Sequence, residues 1–487
     1  MAVSNLERSS GLPNRRAYIV FGVIAAAFLL SSINGTIVAV ALPTMLIELH
    51  TSLAWVGWTL TGFMLAQSVV MPVAGKLSDD WGARRVFLGS VALFTFSSIL
   101  AGFAPNVYVL IVARMLQALG TGAMLPSATS IVSDTFGERR STAIGLFTTI
   151  FPLGGVLGPS VGGFVIDHFS WRWMFYANGP VGIAVLVIGL FLIPRGLRLP
   201  QRGKVDVIGI GLFSGGLLSI LGAMTVWGND PQSVQQPFTW AAVLFGFAAL
   251  VVFFWHEGRT LSPVVDIQLI RGRPYFAANL YSFLFGASVF GFGSFIPYYA
   301  TLAYGMSAGE SGLVLAPRFG AMAIASTVSS FFLIRRGYRF TMIIGVVLNS
   351  VSLLLLSPGF HDISLLNLLV PNTVLLSLIV LLTGIGMGIS GPASNNAVLD
   401  LVPDRVAAAV GLRGMFRATG GVFGTAVIIL ILSHSEDKVA GMQAIFVGFG
   451  LFTLLALPVV LMIPDAARQK FVAARKERQR GKTSAQS

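Results

Sequence analysis

Residues Gly154–Gly163 read GGVLGPSVGG, inside an apolar run that extends from residue 143 to residue 166. Five glycines and a proline in ten residues would break a helix in water, where each interior glycine costs about 1 kcal/mol and a proline about 3 kcal/mol relative to alanine. In a bilayer this composition is tolerated, because neighbouring helices satisfy the backbone groups that proline frees. Gly154, Gly158 and Gly162 recur at every fourth residue and share one helical face without side chains. A second helix can approach that face closely. Pro159 removes one backbone donor and favours a kink. The stretch reads as a membrane-spanning helix built for tight packing.

The rest of the chain agrees. Its 487 residues are 55% hydrophobic and 10% charged, with a mean hydropathy of +0.82; a soluble domain carries about 25% charged residues. Apolar runs of roughly 20 residues, the length that crosses a bilayer, fall at 17–43, 56–74, 86–104, 107–132, 143–166, 173–193, 207–227, 238–256, 275–304, 310–333, 340–357, 374–398, 407–432 and 442–463. The expected fold class is all-α integral membrane with fourteen transmembrane helices. The first run is too long for a signal-peptide core and reads as a retained helix.

Charge placement orients these helices. With both termini cytoplasmic, 26 of the 32 basic residues fall in inner segments, only Arg172 and Lys438 in outer loops, and Arg114, Arg318, Arg413 and Arg417 within spans. That asymmetry is the positive-inside rule, and it accounts for the net charge of +13 without nucleic acid. The polar connections around 194–206 and 256–274 divide the chain into a cytoplasmic segment 1–16, a six-helix bundle 17–193, two inserted helices with their flanks in 194–274, a second six-helix bundle 275–463 and a basic tail 464–487. Gly82 and Arg84 after the second span are echoed by Gly337 and Arg339 after the tenth.

Enzyme chemistry is not indicated. There is no cysteine, hence no disulfide and no thiolate metal site. The five histidines lie in loops or at span ends without ligand spacing. Nucleotide loops, zinc motifs and nucleophile elbows are absent from the sequence, so no metal or cofactor is expected.

Several motifs, taken together, identify a family. GxxxGPxxGG at Gly154, Gly158, Pro159, Gly162 and Gly163 resembles the antiporter motif of exporters in the major facilitator superfamily. GKLSDDWGARRVFL, from Gly75 to Leu88, is similar to that superfamily's loop pattern GxLxDxxGxRxxxL, through Gly75, Asp79, Gly82, Arg84 and Arg85. Leu110, Arg114, Gln117, Gly120 and Gly122 resemble its fourth-helix pattern, and WRWxFxxNxPxG at Trp171–Gly182 resembles the fourteen-helix drug:proton antiporter family. The resemblance implies a major facilitator fold in a 6+2+6 arrangement. It also implies a latch role for the Gly75–Arg85 loop and export of small amphipathic or hydrophobic compounds by alternating access in the cytoplasmic membrane.

One departure bears on mechanism. The first helix ends Asn34-Gly-Thr-Ile-Val-Ala-Val-Ala-Leu-Pro43, where the family pattern DxTIVNVALP has an acid at the position of Asn34. In the family that acid is tied to proton coupling; asparagine does not titrate. Three readings stay open: coupling through a rim acid, Asp167 or Glu310; an anionic or neutral substrate, a lipid or fatty acid included, held by arginines as donors; or transport weakly coupled or uncoupled to protons. Arg114, Gln117, Arg318, Asn395 and Arg417 join Asn34 as candidates for substrate or coupling roles, because polar residues inside spans face a partner or a wet cavity. Aromatics of the ninth span, Phe285, Phe290, Phe292, Tyr298 and Tyr299, are candidates for a permissive pocket wall. A membrane sensor without flux is a further, separate reading.

Overall fold

The computed structural model describes residues 15–136, 143, 147, 150–194, 206–260, 263, 265, 267–365, 368–402 and 406–465. Among these residues, thirteen helices are long and apolar enough to cross a membrane by length and composition. Those before residue 260 are α1 (Arg15–Glu48), α2 (Leu53–Ser78), α3 (Ala83–Gly102), α4 (Val107–Phe136), α5 (Ile150–His168), α6 (Trp173–Leu192), α7 (Val207–Asn229) and α8 (Pro237–Glu257). The ninth expected span is not one regular helix. This segment, α9, consists of Arg273–Phe285, a π-helical turn Gly286–Gly291 and Ile296–Tyr304. Then come α10 (Ala308–Ser329), α11 (Tyr338–Leu356), α12 (Asn372–Leu401), α13 (Gly411–His434) and α14 (Lys438–Leu461).

The interruption of α9 has a local cause. A Cβ at Gly286 would strike the Arg417 carbonyl, and one at Gly291 would lie 3.0 Å from the backbone of Gly424. Bare glycines let α13 press against α9, and the ladder widens into a π-turn there. Pro297 then denies the chain an amide in the first turn of the last piece. A second departure from the all-helical expectation is small: Ser364–Leu365 pairs antiparallel with Leu368–Leu369 between α11 and α12.

Chain direction follows from packing. Gly154 meets Ser32 and Gly162 meets Ile37, so α1 and α5 run parallel and Asp167 sits at the Glu48 end. Gly163 meets Ala308 and Gly155 meets Phe319, so α10 runs antiparallel to α5 and starts at that end. At the opposite end, Arg16 reaches the Leu192 carbonyl (3.5 Å) and Arg339 donates to the Ile463 carbonyl (2.6 Å). Arg15 and Ile463 therefore lie at one end of the molecule and Asp167 at the other.

The buried cores are distributed unequally between these ends. At the Asp167 end one apolar core takes residues from both halves, among them Ile37, Leu42, Trp171, Phe295, Leu315 and Ile428. At the other end the core divides in two, one part around Phe28, Phe87 and Phe147 and one around Tyr275, Met342 and Val460, which also takes in Phe213 and Phe253 of α7 and α8 and has Val69 of α2 against it. α7 packs against both α2 and α13: Trp58 donates to Thr225 (2.7 Å), and Leu221 joins Leu65, Val422 and Ala426 in a small cluster. The start of α7 and the end of α8 are pinned together by His256 and Asp206 (2.9 Å). Burial raises the Asp206 carboxyl, but the Gly209 amide and His256 outweigh it and hold the group below its usual range.

Basic residues expected at Arg8, Arg139, Arg140, Arg195, Arg198, Arg202, Lys204 and Arg405, and those of 466–487, lie outside the described residues. So do the side chains of Asp79, Phe290, Arg335 and Arg336.

Candidate functional site

Arg114 is fully buried on α4, so it does not snorkel to a surface. Its Nη1 donates to Asn34 Oδ1 on α1 (2.6 Å) and to Gln117 Oε1 one turn along α4 (2.5 Å). Nε reaches the Thr59 carbonyl on α2 (3.3 Å). Gln117 passes the network on to Ser98 on α3 (2.6 Å), which also receives Asn178 from α6 (3.5 Å). The guanidinium lies over the Phe63 ring, 4.1 Å from its centroid. Five helices thus meet in one network around the cation, and its hydrogen-bond partners Asn34, Gln117 and Thr59 are neutral. A charge inside a membrane protein costs several kcal/mol unless satisfied, and here two donors, Arg114 Nη2 and Asn34 Nδ2, are buried without a partner.

Arg318 does not join this cluster. Arg318, almost wholly buried, donates to the Val289 carbonyl at the π-turn of α9 (2.9 Å) and contacts Met387 Sδ (3.5 Å). Its charge rests between Phe292 and Phe319, with ring centroids at 5.5 and 5.6 Å. Gly293 makes room, since a Cβ there would collide with the guanidinium. Arg417 offers its backbone to the close approach of Gly286, and Arg413, one turn before it, bonds Ser394 on α12 (3.3 Å). Asn395 is half-buried. Phe292, Tyr298 and Tyr299 are buried, and Phe285 stacks on Tyr281 (5.8 Å), all within the second half.

The α5 glycines work on two faces, not one. Gly154, Gly158 and Gly162 face α1: a Cβ at Gly154 or Gly158 would meet Ser32 or Thr36, and one at Gly162 would meet Ile37. Gly155 and Gly163 face α10: a Cβ at Gly155 would hit the Phe319 ring, and one at Gly163 would lie 2.5 Å from the Ala308 carbonyl. Gly312 of α10 reciprocates against Pro159. The two doublets, Gly154-Gly155 and Gly162-Gly163, are the signal in sequence for this second face, since adjacent helical positions point about 100° apart.

The rim acids are placed at this same junction. Asp167 accepts from the Gly309 amide (2.7 Å), the Ala308 amide (3.1 Å) and the Ser307 hydroxyl (3.3 Å). Glu310 closes a capping box with Ser307: the Ser307 amide donates to its carboxylate (2.9 Å) and its own amide donates to the Ser307 hydroxyl (3.2 Å). Both candidate rim acids lie at an exposed site and cap α10 through these bonds.

The Gly75–Arg85 segment is mostly helix rather than loop. The helix of α2 continues to Trp81, including Gly75 and the backbone of Asp79, and only Gly82 turns, at φ 88°. Arg84 donates to the Leu190 carbonyl of α6 (2.5 Å), within its own bundle, and Arg85 is exposed. The echo in the second half is close: Gly337 turns at φ 84°, and Arg339 donates to the Ile463 carbonyl after α14. In each half, an arginine two residues after a left-handed glycine satisfies carbonyls at the end of the bundle's last helix.

Known proteins agree with this architecture. A profile of the Major Facilitator Superfamily matches residues 24–301 and 278–486. The chain is 30% identical over 430 residues to the multidrug transporter protein MdtP of Bacillus subtilis (strain 168), covering 87% of this chain and 76% of that protein. It is 31% identical over 423 residues to the tetracenomycin C resistance and export protein of Streptomyces glaucescens, covering 85% of this chain and 76% of that protein. Among solved structures, a mutant of the peptide transporter POT in complex with sulfate superposes with a TM-score of 0.68 at 17% identity, over 92% of this chain and 95% of that one, a likeness of fold alone. Matched in both halves, this multi-pass integral protein of the plasma membrane belongs to the major facilitator superfamily, a family of transporters.

Proposed function

We propose that the protein exports amphipathic or hydrophobic compounds by rocking its two six-helix bundles about a central site. The observation that carries this reading is the double use of α5, whose glycines admit α1 of its own bundle on one face and α10 of the other bundle on the next. A joint of bare backbone lets rigid bundles part and close without prying apart long side chains. The substrate class is drawn from the two relatives, named as a multidrug transporter and a tetracenomycin C exporter.

The proposal includes fourteen crossings with both termini in the cytoplasm. Arg15 and Ile463 share an end, which requires an even number of crossings, so interrupted α9 counts as one beside the thirteen regular helices. Arg84, Arg85, Arg259, Arg271 and Arg339 then lie on the cytoplasmic side. The shared core at the Asp167 end supports a conformation closed outward, while toward the other end α2 still meets α13 at Pro72 and Gly411.

A second reading, export of lipids or organic anions, is favoured by buried Arg114 and Arg318, whose hydrogen-bond partners are all neutral. Ethidium flux in proteoliposomes, with and without an imposed pH gradient, separates the two. Gradient-driven flux establishes drug:proton antiport. Flux indifferent to the gradient keeps drug export and removes proton coupling. No flux from folded protein overturns drug export and leaves the anionic class.

A further inference from the structure

We propose that Arg114 and Asn34 form a binding site for one small monovalent anionic group, a halide ion or a carboxylate head. The site follows from a charge count and a donor count made at the same place. Arg114 is completely buried and Asn34 nearly so. The partners of the guanidinium are the amide oxygens of Asn34 and Gln117 and the carbonyl of Thr59, with the Phe63 and Phe175 rings at 4.1 and 5.9 Å. None carries a negative charge, so a full positive charge stands uncompensated where solvent does not reach, an arrangement that costs several kcal/mol.

The donors point to the sign of the ligand. Arg114 Nη2 and Asn34 Nδ2 are both buried without a hydrogen-bond partner. They belong to side chains already joined through Nη1 and Oδ1 at 2.6 Å, so the two unmet N–H groups lie within one side-chain length of each other. Native interiors seldom leave such groups unmet. A water would satisfy the donors but not the charge; a cation would satisfy neither. A single anion satisfies both, because a guanidinium and an amide N–H₂ are donors with no acceptor role. An asparagine at this position supplies the second donor, where a carboxylate would itself neutralise Arg114. The anion and an acid at residue 34 are therefore alternatives, and this determines the control. The inference adds to the transport reading and stands without it, because its readout is binding.

The test is thermal unfolding of the full-length protein in detergent, titrated at constant ionic strength by replacing sodium gluconate with sodium chloride, sodium bromide or sodium decanoate. A ligand that binds only the folded state raises the midpoint by mass action. A saturable rise of a few degrees with chloride and bromide assigns the site to a free halide. A rise with decanoate alone assigns it to the carboxylate of an amphiphilic substrate. In either case Asn34→Asp abolishes the rise, and Arg114→Gln does the same. No saturable rise in the unsubstituted protein with any of the three salts overturns the proposal, whatever the variants do. A rise that persists undiminished in folded Asn34→Asp overturns it as well.

Discussion

Asp167 on α5 caps the first turn of a helix in the other bundle, its Oδ2 accepting the Gly309 amide at 2.7 Å. The carboxylate belongs to one half of the molecule and the amide to the other, so this bond exists only while the two halves meet at that end. Positive partial charge on the unpaired amides of a helix start makes a carboxylate a natural partner. The Ser307 hydroxyl and the Ala308 amide extend the same grip.

Asp167→Ala therefore weakens closure at that end by about 1 kcal/mol, roughly a fivefold shift toward the parted state. Asp167→Asn, which keeps an acceptor and loses the charge, shifts it less. The chain has no native cysteine, so Ser311→Cys, at a fully buried position near the joint, reports closure without background. Its labelling by a water-soluble maleimide should accelerate in the Asp167→Ala background. An unchanged labelling rate would remove Asp167 from the closing mechanism.

Gly158→Leu should abolish transport while leaving membrane insertion intact. A Cβ there already collides with the Thr36 hydroxyl and comes within 2.9 Å of the Ile33 carbonyl, so a leucine must push α1 away from α5. Overpacking of this kind costs about 1–3 kcal/mol or more. Ethidium efflux and detergent size-exclusion profiles measure the two outcomes, and full activity would show that the close approach is dispensable.

Asn34→Asp should raise proton-driven efflux of cationic dyes several-fold. The introduced carboxylate takes the place of an oxygen that already sits 2.6 Å from Arg114 Nη1, which gives the guanidinium a titratable partner where it now has a neutral one. Efflux measured against a stepped pH gradient checks this, and an unchanged or lost response counts against a coupling role for the pair.

Asp206→Ala should separate the start of α7 from the end of α8 and lower the melting midpoint at neutral pH, with an N-cap loss of about 1 kcal/mol. The folded Asp206 carboxyl is held below its usual range. Its contribution is therefore complete above the unfolded value of about 3.9 and is lost as pH falls through the lower folded value. The difference in midpoint between the parent and Asp206→Ala should persist from pH 7 to about 5 and shrink below about 4. A difference that fails to shrink below about pH 4 would contradict this assignment.

Much of the site was written in spacing. An arginine within a span demands a partner, and the family acid position on α1 supplied the candidate; Arg114 and Asn34 do meet. Gln117, one turn further on α4, lies on the same face and meets Arg114 as well. Gly82 and Arg84 reappear as Gly337 and Arg339 with matching backbone turns. Asp167 and Glu310, the candidate rim acids, also cap α10, an arrangement that spacing along the chain does not reveal. Asp167 stands 142 positions before its partner Gly309, and that separation hides the encounter.

By itself the sequence determined that this is a helical membrane protein, where thirteen of its spans lie, and that Gly154, Gly158 and Gly162 share a face without side chains. Those properties depend on transfer of apolar runs from water and on the fixed period of a helix, and both are local. Tertiary structure alone decided that α5 packs on both α1 and α10, that Arg114 and Arg318 occupy separate surroundings, and that α9 is broken by the backbone of α13. Each of these depends on which helix arrives opposite a given residue. In a membrane that choice is made by close packing and by partners for buried polar groups, not by hydrophobicity, which every helix here shares.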